Sequence, residues 1–145
     1  MINDRFTVDL SLLVVRVVSG VIMGAHGAQK VFGWWGGGGL AKTVEGLGPI
    51  GYPVAIGECF GGLGLILGFL TRFSAASNIL IMLGAIQMVH GANGFFLQNK
   101  GYEYNLALIG LLLPTLLAGP GKYSIGRFLP LKKSARTQRP ILPLE

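Results

Sequence analysis

The chain has 145 residues, of which 51% are hydrophobic and only 12% are charged. Soluble globular domains carry about twice that charged fraction, so the composition excludes an ordinary soluble enzyme and indicates a single-domain, all-α membrane protein. The formal net charge is +6. No basic stripe with interleaved aromatic residues accompanies it, and we therefore expect no nucleic-acid partner.

Four apolar stretches fill most of the chain, and each is near the length of about 20 residues that spans a bilayer as a helix. In chain order they are Leu10–Lys30, Tyr52–Leu70, Phe73–His90 and Tyr104–Ala118. The sequence therefore predicts a four-transmembrane-helix bundle within residues 1–128, followed by a basic cytoplasmic tail at residues 129–145.

The positions of lysine and arginine predict the orientation of this bundle. Arg5 precedes the first stretch, Arg72 separates the second from the third, and six basic residues follow the fourth. These six are Lys122, Arg127, Lys132, Lys133, Arg136 and Arg139. Because basic residues accumulate on the cytoplasmic side, we expect both termini to be cytoplasmic in a plasma (inner) membrane, with the tail near lipid headgroups. Two loops with interfacial aromatic residues, Val31–Gly51 and Gly91–Glu103, then lie on the outer side.

Short repeats indicate an internal duplication. The tripeptide His-Gly-Ala occurs at residues 26–28 and again at residues 90–92. Two helical hairpins of the same orientation would place His26 and His90 at equivalent depths. Glycines at small-xxx-small spacing, such as Gly20 and Gly24, predict close packing of the helices, with a homodimer seam as the alternative.

Polar side chains lie in or beside the apolar stretches, where a charge at the bilayer centre costs about 3 kcal/mol. Because of this insertion cost, such groups usually face a bundle interior or a cavity. Helical rise places most of them in the outer third of the bundle, and Arg16 is the one polar group that we expect in the inner third. The outer set is His26, Lys30, Glu58, Gln87, His90, Glu103 and Asn105.

Glu58 is the most informative of these groups. An isolated carboxylate in apolar surroundings takes up a proton, whereas Lys30 or a protonated His26 beside it would keep it charged. Two interpretations stay open: an ion pair that joins the first two spans, or a group that handles protons or orients a ligand. The glycine-rich run Gly36–Gly39 predicts a flexible loop above this site.

The two histidines also allow more than one role. His26 and His90 can carry protons, hydrogen-bond a carbonyl, or simply pack. Together with Glu58 they could form a metal face, but no HxxxH or HxxE spacing occurs within one helix, and we predict no metal site. Cys59 is the single cysteine, so the chain has no internal disulfide or CxxC pair.

Several motifs occur together along most of the chain. Arg16 is followed by HGxQKxFG at residues 26–33, by Gly-Glu at 57–58 and by Gly-Tyr-Glu-Tyr-Asn at 101–105. Over residues 8–128 this pattern resembles the DoxX family of small four-helix membrane proteins. That family includes a subunit of an archaeal thiosulfate:quinone oxidoreductase and members linked to oxidative stress or quinone resistance. The functional candidates that the resemblance implies are Arg16, His26, Gln29, Lys30 and Glu58.

We therefore predict an integral membrane component of a redox system, with a quinone as its cofactor or substrate. The expected catalytic residues are Glu58, His26 and Lys30. The expected ligand-binding residues are Arg16, Gln29, Gln87, His90, Glu103 and Asn105. No haem, flavin or iron–sulfur ligand set is visible in the sequence, so the electrons must come from the substrate or from a soluble redox partner. The alternatives are a non-enzymatic membrane adaptor or assembly protein and, third, a small-molecule permease.

Overall fold

The computed structural model describes residues 4–128, so the basic tail predicted at residues 129–145 lies outside the described residues. The described chain is helical throughout its regular structure, without a β-strand. Its α-helices are α1 (Asp4–Phe32), α2 (Gly39–Leu47), α3 (Gly51–Leu67), α4 (Thr71–Ala85) and α5 (Glu103–Ala118). Short 3₁₀ turns connect most of them, and α4 continues as a π-helix over Ile86–His90.

Three helical segments of the described chain are long and apolar enough to cross a membrane: Asp4–Phe32, Trp34–Leu67 and Thr71–Asn93. Helix α5 is also apolar but has 16 residues, which extend only about 24 Å at helical rise. A typical hydrocarbon core is about 30 Å thick. The predicted all-helical membrane architecture is confirmed, and its fourth helix is shorter than a full span.

The four long helices pack in the order α1, α3, α4, α5, and α5 closes the bundle against α1. Neighbouring helices are antiparallel. Lys30, near the end of α1, reaches Glu58 in the first half of α3, whereas Arg16 reaches Leu65 near the end of α3. The contacts between α4 and α5 show the same reversal. The two hairpins, α1–α3 and α4–α5, therefore run in the same direction, as the predicted duplication requires.

Glycines bring α1 and α3 into backbone contact. A Cβ atom on Gly27 would collide with the backbone of Cys59, and one on Gly62 would collide with the backbone of Gly24. Small residues permit this approach where lipid offers no hydrophobic drive for helices to associate. The predicted close packing is thus present within one chain, and the homodimer seam stays a prediction.

The outer loop predicted at Val31–Gly51 contains a helix that the sequence analysis did not predict. Helix α2 packs on both α1 and α3. The hydroxyl of Thr43 donates a hydrogen bond to the carbonyl of Lys30 at 3.2 Å, which ties α2 to the end of α1. Glycines on both sides of this nine-residue helix made the whole segment resemble a loop.

The end of the bundle that lies away from α2, where Arg16 is buried, is more polar than expected. Besides Arg16, several small polar side chains are buried there, so the prediction that Arg16 is alone in this part is wrong. They are Ser19, Thr71, Ser74, Thr115 and Ser124. For Ser19 the reason is local, because its hydroxyl donates to the carbonyl of Val15 in its own helix at 2.7 Å. A hydroxyl that is bonded to its own helix can be buried at little cost, so a serine or threonine of this kind does not indicate a polar site in the sequence.

The substitution Gly27→Ala should destabilise the bundle by about 1–3 kcal/mol, because the added methyl group must displace the backbone of α3. Gly110→Ala is the matched control, since a Cβ atom at Gly110 meets nothing within 4 Å, and it should be neutral or slightly stabilising. Titration of each variant with SDS in mixed micelles, followed by circular dichroism, measures both effects. Equal effects of the two substitutions would contradict the close packing of α1 and α3.

Candidate functional site

A cavity of about 690 Å³ lies where α1, α3, α4 and α5 meet beneath α2. Its walls are mainly aliphatic and methionine side chains, with Met23, Met82 and Leu108 among them. Five of the predicted site residues line it: His26, Lys30, Glu58, His90 and Asn105. Polar groups from four helices or their extensions therefore converge at one end of the bundle, which we call the cavity end.

The centre of the polar edge is an ion pair between α1 and α3. The Nζ atom of Lys30 lies 2.5 Å from Oε2 of Glu58, and the two side chains are 28% and 3% exposed, respectively. Gly27 lies one turn before Lys30 on the same face of α1, and its missing side chain lets the helices come close enough for this contact. The structure thus pairs the Glu58 carboxylate with Lys30 rather than with His26.

His26 lies one turn before Lys30 and also lines the cavity. Its ring meets the ring of Tyr104 edge to face, with centroids 6.2 Å apart. Tyr104 itself lines the cavity beside Asn105. Tyr104 was not among the predicted site residues, although its position next to Asn105 at the start of α5 was a signal for the site.

His90 reaches the cavity from the π-helix that extends α4. Short π-helical insertions are frequent at functional sites. Nδ1 of His90 lies 2.7 Å from the carbonyl oxygen of Lys100. Because a carbonyl oxygen only accepts, Nδ1 carries the proton, and Nε2 of the neutral ring is left as an acceptor. Lys100 adopts a left-handed conformation with φ of 60°, so the loop holds this carbonyl at a conformational cost.

Asn105 completes the polar lining from α5. Its side chain is buried, and Nδ2 donates to the sulfur of Met82 at 3.4 Å. This bond joins α5 to α4 at the level of the cavity. Asn105, the ion pair and the two imidazoles are therefore polar groups of a mainly apolar chamber, and they include both hydrogen-bond donors and acceptors.

The other predicted site residues lie away from this cavity. Arg16 is at the opposite end of the bundle. Glu103 accepts a hydrogen bond from the backbone amide of Leu97 at 2.8 Å and so orders the loop before α5. Gln87 is exposed, because the π-helical turn changes the register that would have placed it on the face of His90. Gln29 packs against the backbone of the loop after α1.

Within residues 4–128, no group of three or more histidine, cysteine, aspartate or glutamate side chains is positioned to hold a metal ion. The lining of the cavity itself offers hydrogen-bonding and ionisable groups. These groups can orient a ligand with an apolar body and polar edges, and they can exchange protons with it.

Comparisons with known proteins give a family match and several relatives. The family model described as DoxX matches residues 11–91. A protein of Escherichia coli (strain K12) named inner membrane protein YqjF is 29% identical over 124 residues, which cover 83% of this chain and 93% of the relative. A protein of Bacillus subtilis (strain 168) named putative oxidoreductase CatD is 30% identical over 111 residues, covering 72% and 78%, respectively. No solved structure matches the chain significantly.

Removing one member of the ion pair, by Lys30→Met or Glu58→Gln, should destabilise the bundle by about 3 kcal/mol, because an unpaired polar group stays buried. The double variant should lose much less than the sum of the two single losses. SDS titration of all four proteins gives the coupling free energy. Lys42→Met and Glu45→Gln change exposed residues on α2 and serve as the matched cycle. A Lys30–Glu58 coupling no larger than that of this control would contradict the importance of the pair.

Proposed function

This chain belongs to the DoxX family of membrane proteins, and we propose that it is the membrane-embedded component of a quinone-linked redox system. The observation that carries the proposal is the cavity itself: an apolar chamber of about 690 Å³ with an ion pair and two imidazoles in its lining. A quinone has the matching chemistry, since its ring and tail are apolar and its two carbonyl oxygens accept hydrogen bonds.

The residues of the cavity divide between donors and acceptors. The ammonium group of Lys30 has three protons and uses one on Glu58, so the others are available to a quinone carbonyl. In the neutral ring with its proton on Nδ1, His90 offers Nε2 as an acceptor for the hydroxyl group of the reduced quinol. In our proposal Glu58 and His26 exchange protons with the bound ring. Reduction of a quinone takes up two electrons and two protons, and the electrons come from a reduced soluble partner protein.

The relatives support this proposal in two respects. The word oxidoreductase in the printed name of the Bacillus subtilis relative favours a redox role. The printed name of the Escherichia coli relative favours an inner-membrane location.

We further propose that the bundle crosses the membrane four times with both termini in the cytoplasm. One end of the bundle, the basic end, carries Arg5, Arg16, Arg72, Lys122 and Arg127 against two carboxylates, Asp4 and Asp9. At the cavity end three lysines are balanced by three glutamates, namely Lys30, Lys42, Lys100, Glu45, Glu58 and Glu103. The positive-inside rule then places the basic end in the cytoplasm and the cavity toward the opposite surface. Local thinning of the bilayer accommodates the short α5.

A short-chain ubiquinone analogue should bind the purified protein in lipid nanodiscs, and the combined variant His26→Ala, Glu58→Gln should bind it about tenfold more weakly or worse. The reason is the loss of a charge-assisted hydrogen-bond network at the polar edge. Quenching of intrinsic tryptophan fluorescence during titration measures the affinity. Gln87→Ala is the matched control, because Gln87 is exposed and does not line the cavity.

Equal affinities of wild type and the combined variant would refute the proposal. That result would favour the adaptor alternative, in which the Lys30–Glu58 pair only holds α1 against α3. The single variant His26→Ala changes an exposed residue and keeps the test decisive if the combined variant does not fold.

A further inference from the structure

Arg16 is the most deeply buried charged side chain of the described residues, with 1% of its surface exposed. Its Nη1 atom donates to the carbonyls of Leu65 at 3.0 Å and Ile66 at 3.3 Å, and Nη2 donates to the carbonyl of Tyr123. The side chain thereby joins α1 to the end of α3 and to the turn that follows α5. These bonds hold Arg16 in place, but they do not satisfy its charge or all of its hydrogen-bonding groups.

Two kinds of partner for Arg16 are missing among residues 4–128: a negatively charged group and one hydrogen-bond acceptor. All three acceptors are neutral carbonyl groups, and no ion pair joins Arg16 to a carboxylate of residues 4–128. The end of α3 supplies only about half a negative charge through its dipole. The buried Nε–H group has no acceptor among residues 4–128, although buried charges are normally paired and fully hydrogen-bonded. A negatively charged group would complete the pairing of this guanidinium.

A groove adjoins Arg16 at the basic end of the bundle. It has a volume of about 410 Å³ and lies between α1, the end of α3 and the turn after α5. Lys122 lines it together with Arg16. Arg127 is held beside it, because its Nη1 atom donates to the carbonyl of Lys122 at 2.9 Å. The apolar lining consists of Leu13, Ile66, Leu67, Ile125 and Phe128.

We propose that this groove binds the phosphate group of an anionic phospholipid. The exposed Lys122 and Arg127 can contact a phosphate directly, and the buried Arg16 adds its positive charge beside the groove. The apolar walls suit the glycerol backbone and the first carbons of the acyl chains. Basic pockets between membrane helices on the cytoplasmic side typically bind anionic headgroups. The orientation proposed above places the basic end on that side.

Asp9 narrows the class of ligand. Its Oδ1 atom accepts a hydrogen bond from the backbone amide of Lys122 at 2.8 Å, so a carboxylate stands close to the same groove. Repulsion from this carboxylate disfavours a dianionic phosphate, and the excess of basic groups favours a lipid with a net negative charge, which phosphatidylglycerol has and phosphatidylcholine lacks. The site is independent of the proposed quinone cavity, since the two lie at opposite ends of the bundle.

The test uses the full chain in nanodiscs that contain equal amounts of phosphatidylglycerol and phosphatidylcholine. Native mass spectrometry then counts the lipids that stay bound after release into mild detergent. Wild type should retain one phosphatidylglycerol molecule in preference to phosphatidylcholine. Lys122→Gln combined with Arg127→Gln, both at exposed positions, should lower this retention about fivefold or more. The matched control, Lys42→Gln with Lys100→Gln, removes the same charge at the cavity end and should leave retention unchanged.

Two further arms make the result decisive. Arg16→Gln should abolish the preference, and the exposed double variant answers the question by itself if Arg16→Gln does not fold. Inorganic phosphate is added to the protein in pure phosphatidylcholine nanodiscs to test whether free phosphate, rather than a lipid headgroup, is the ligand that stabilises the protein. Equal retention of both lipids by wild type, equal losses in both double variants, or stabilisation by inorganic phosphate without a lipid preference would each overturn the proposal.

Discussion

The close packing of α1 against α3 is the constraint on which the rest of the structure depends. Gly27 allows the two backbones to touch, and one turn later Lys30 reaches the buried carboxylate of Glu58. Near the other end of the same pair, Arg16 binds the last carbonyls of α3. These contacts fix the relative depth of the two helices, and α4 and α5 then enclose the cavity beside the ion pair.

The two ends of the bundle have different electrostatic character because of this arrangement. At the cavity end, acidic and basic residues balance, and the buried charge of Glu58 has a direct partner in Lys30. At the basic end, the buried charge of Arg16 is met, within the part of the chain that the structure describes, only by neutral carbonyls. A balanced polar edge in an apolar chamber suits a neutral ring with polar substituents, whereas a buried cation beside a groove suits an anion. The two ends of this small bundle are therefore chemically distinct.

Much of this could be predicted from the sequence, because polar groups in apolar helices must face the interior and helical rise fixes their depth. On these grounds His26, Lys30, Glu58, His90 and Asn105 were predicted to lie at one end. Features that depend on tertiary hydrogen bonds or on a local change of helical register cannot be predicted in this way. The π-helical turn that separates Gln87 from His90, the loop contact of Glu103 and the carbonyl ligands of Arg16 all belong to this class. Helix α2 was missed because glycines flank it on both sides.

The most direct measurement of the central claim is photolabelling of the protein in native membranes with an azidoquinone, followed by peptide mass spectrometry. The claim is that polar groups from separate helices converge on one chamber that receives a ring ligand. It predicts adducts on the π-helical segment of α4, on the α1 peptide around His26 and at Tyr104. Competition with unlabelled quinone should remove these adducts. Labelling spread over exposed positions such as Phe73 and Leu117, and insensitive to competition, would contradict the account.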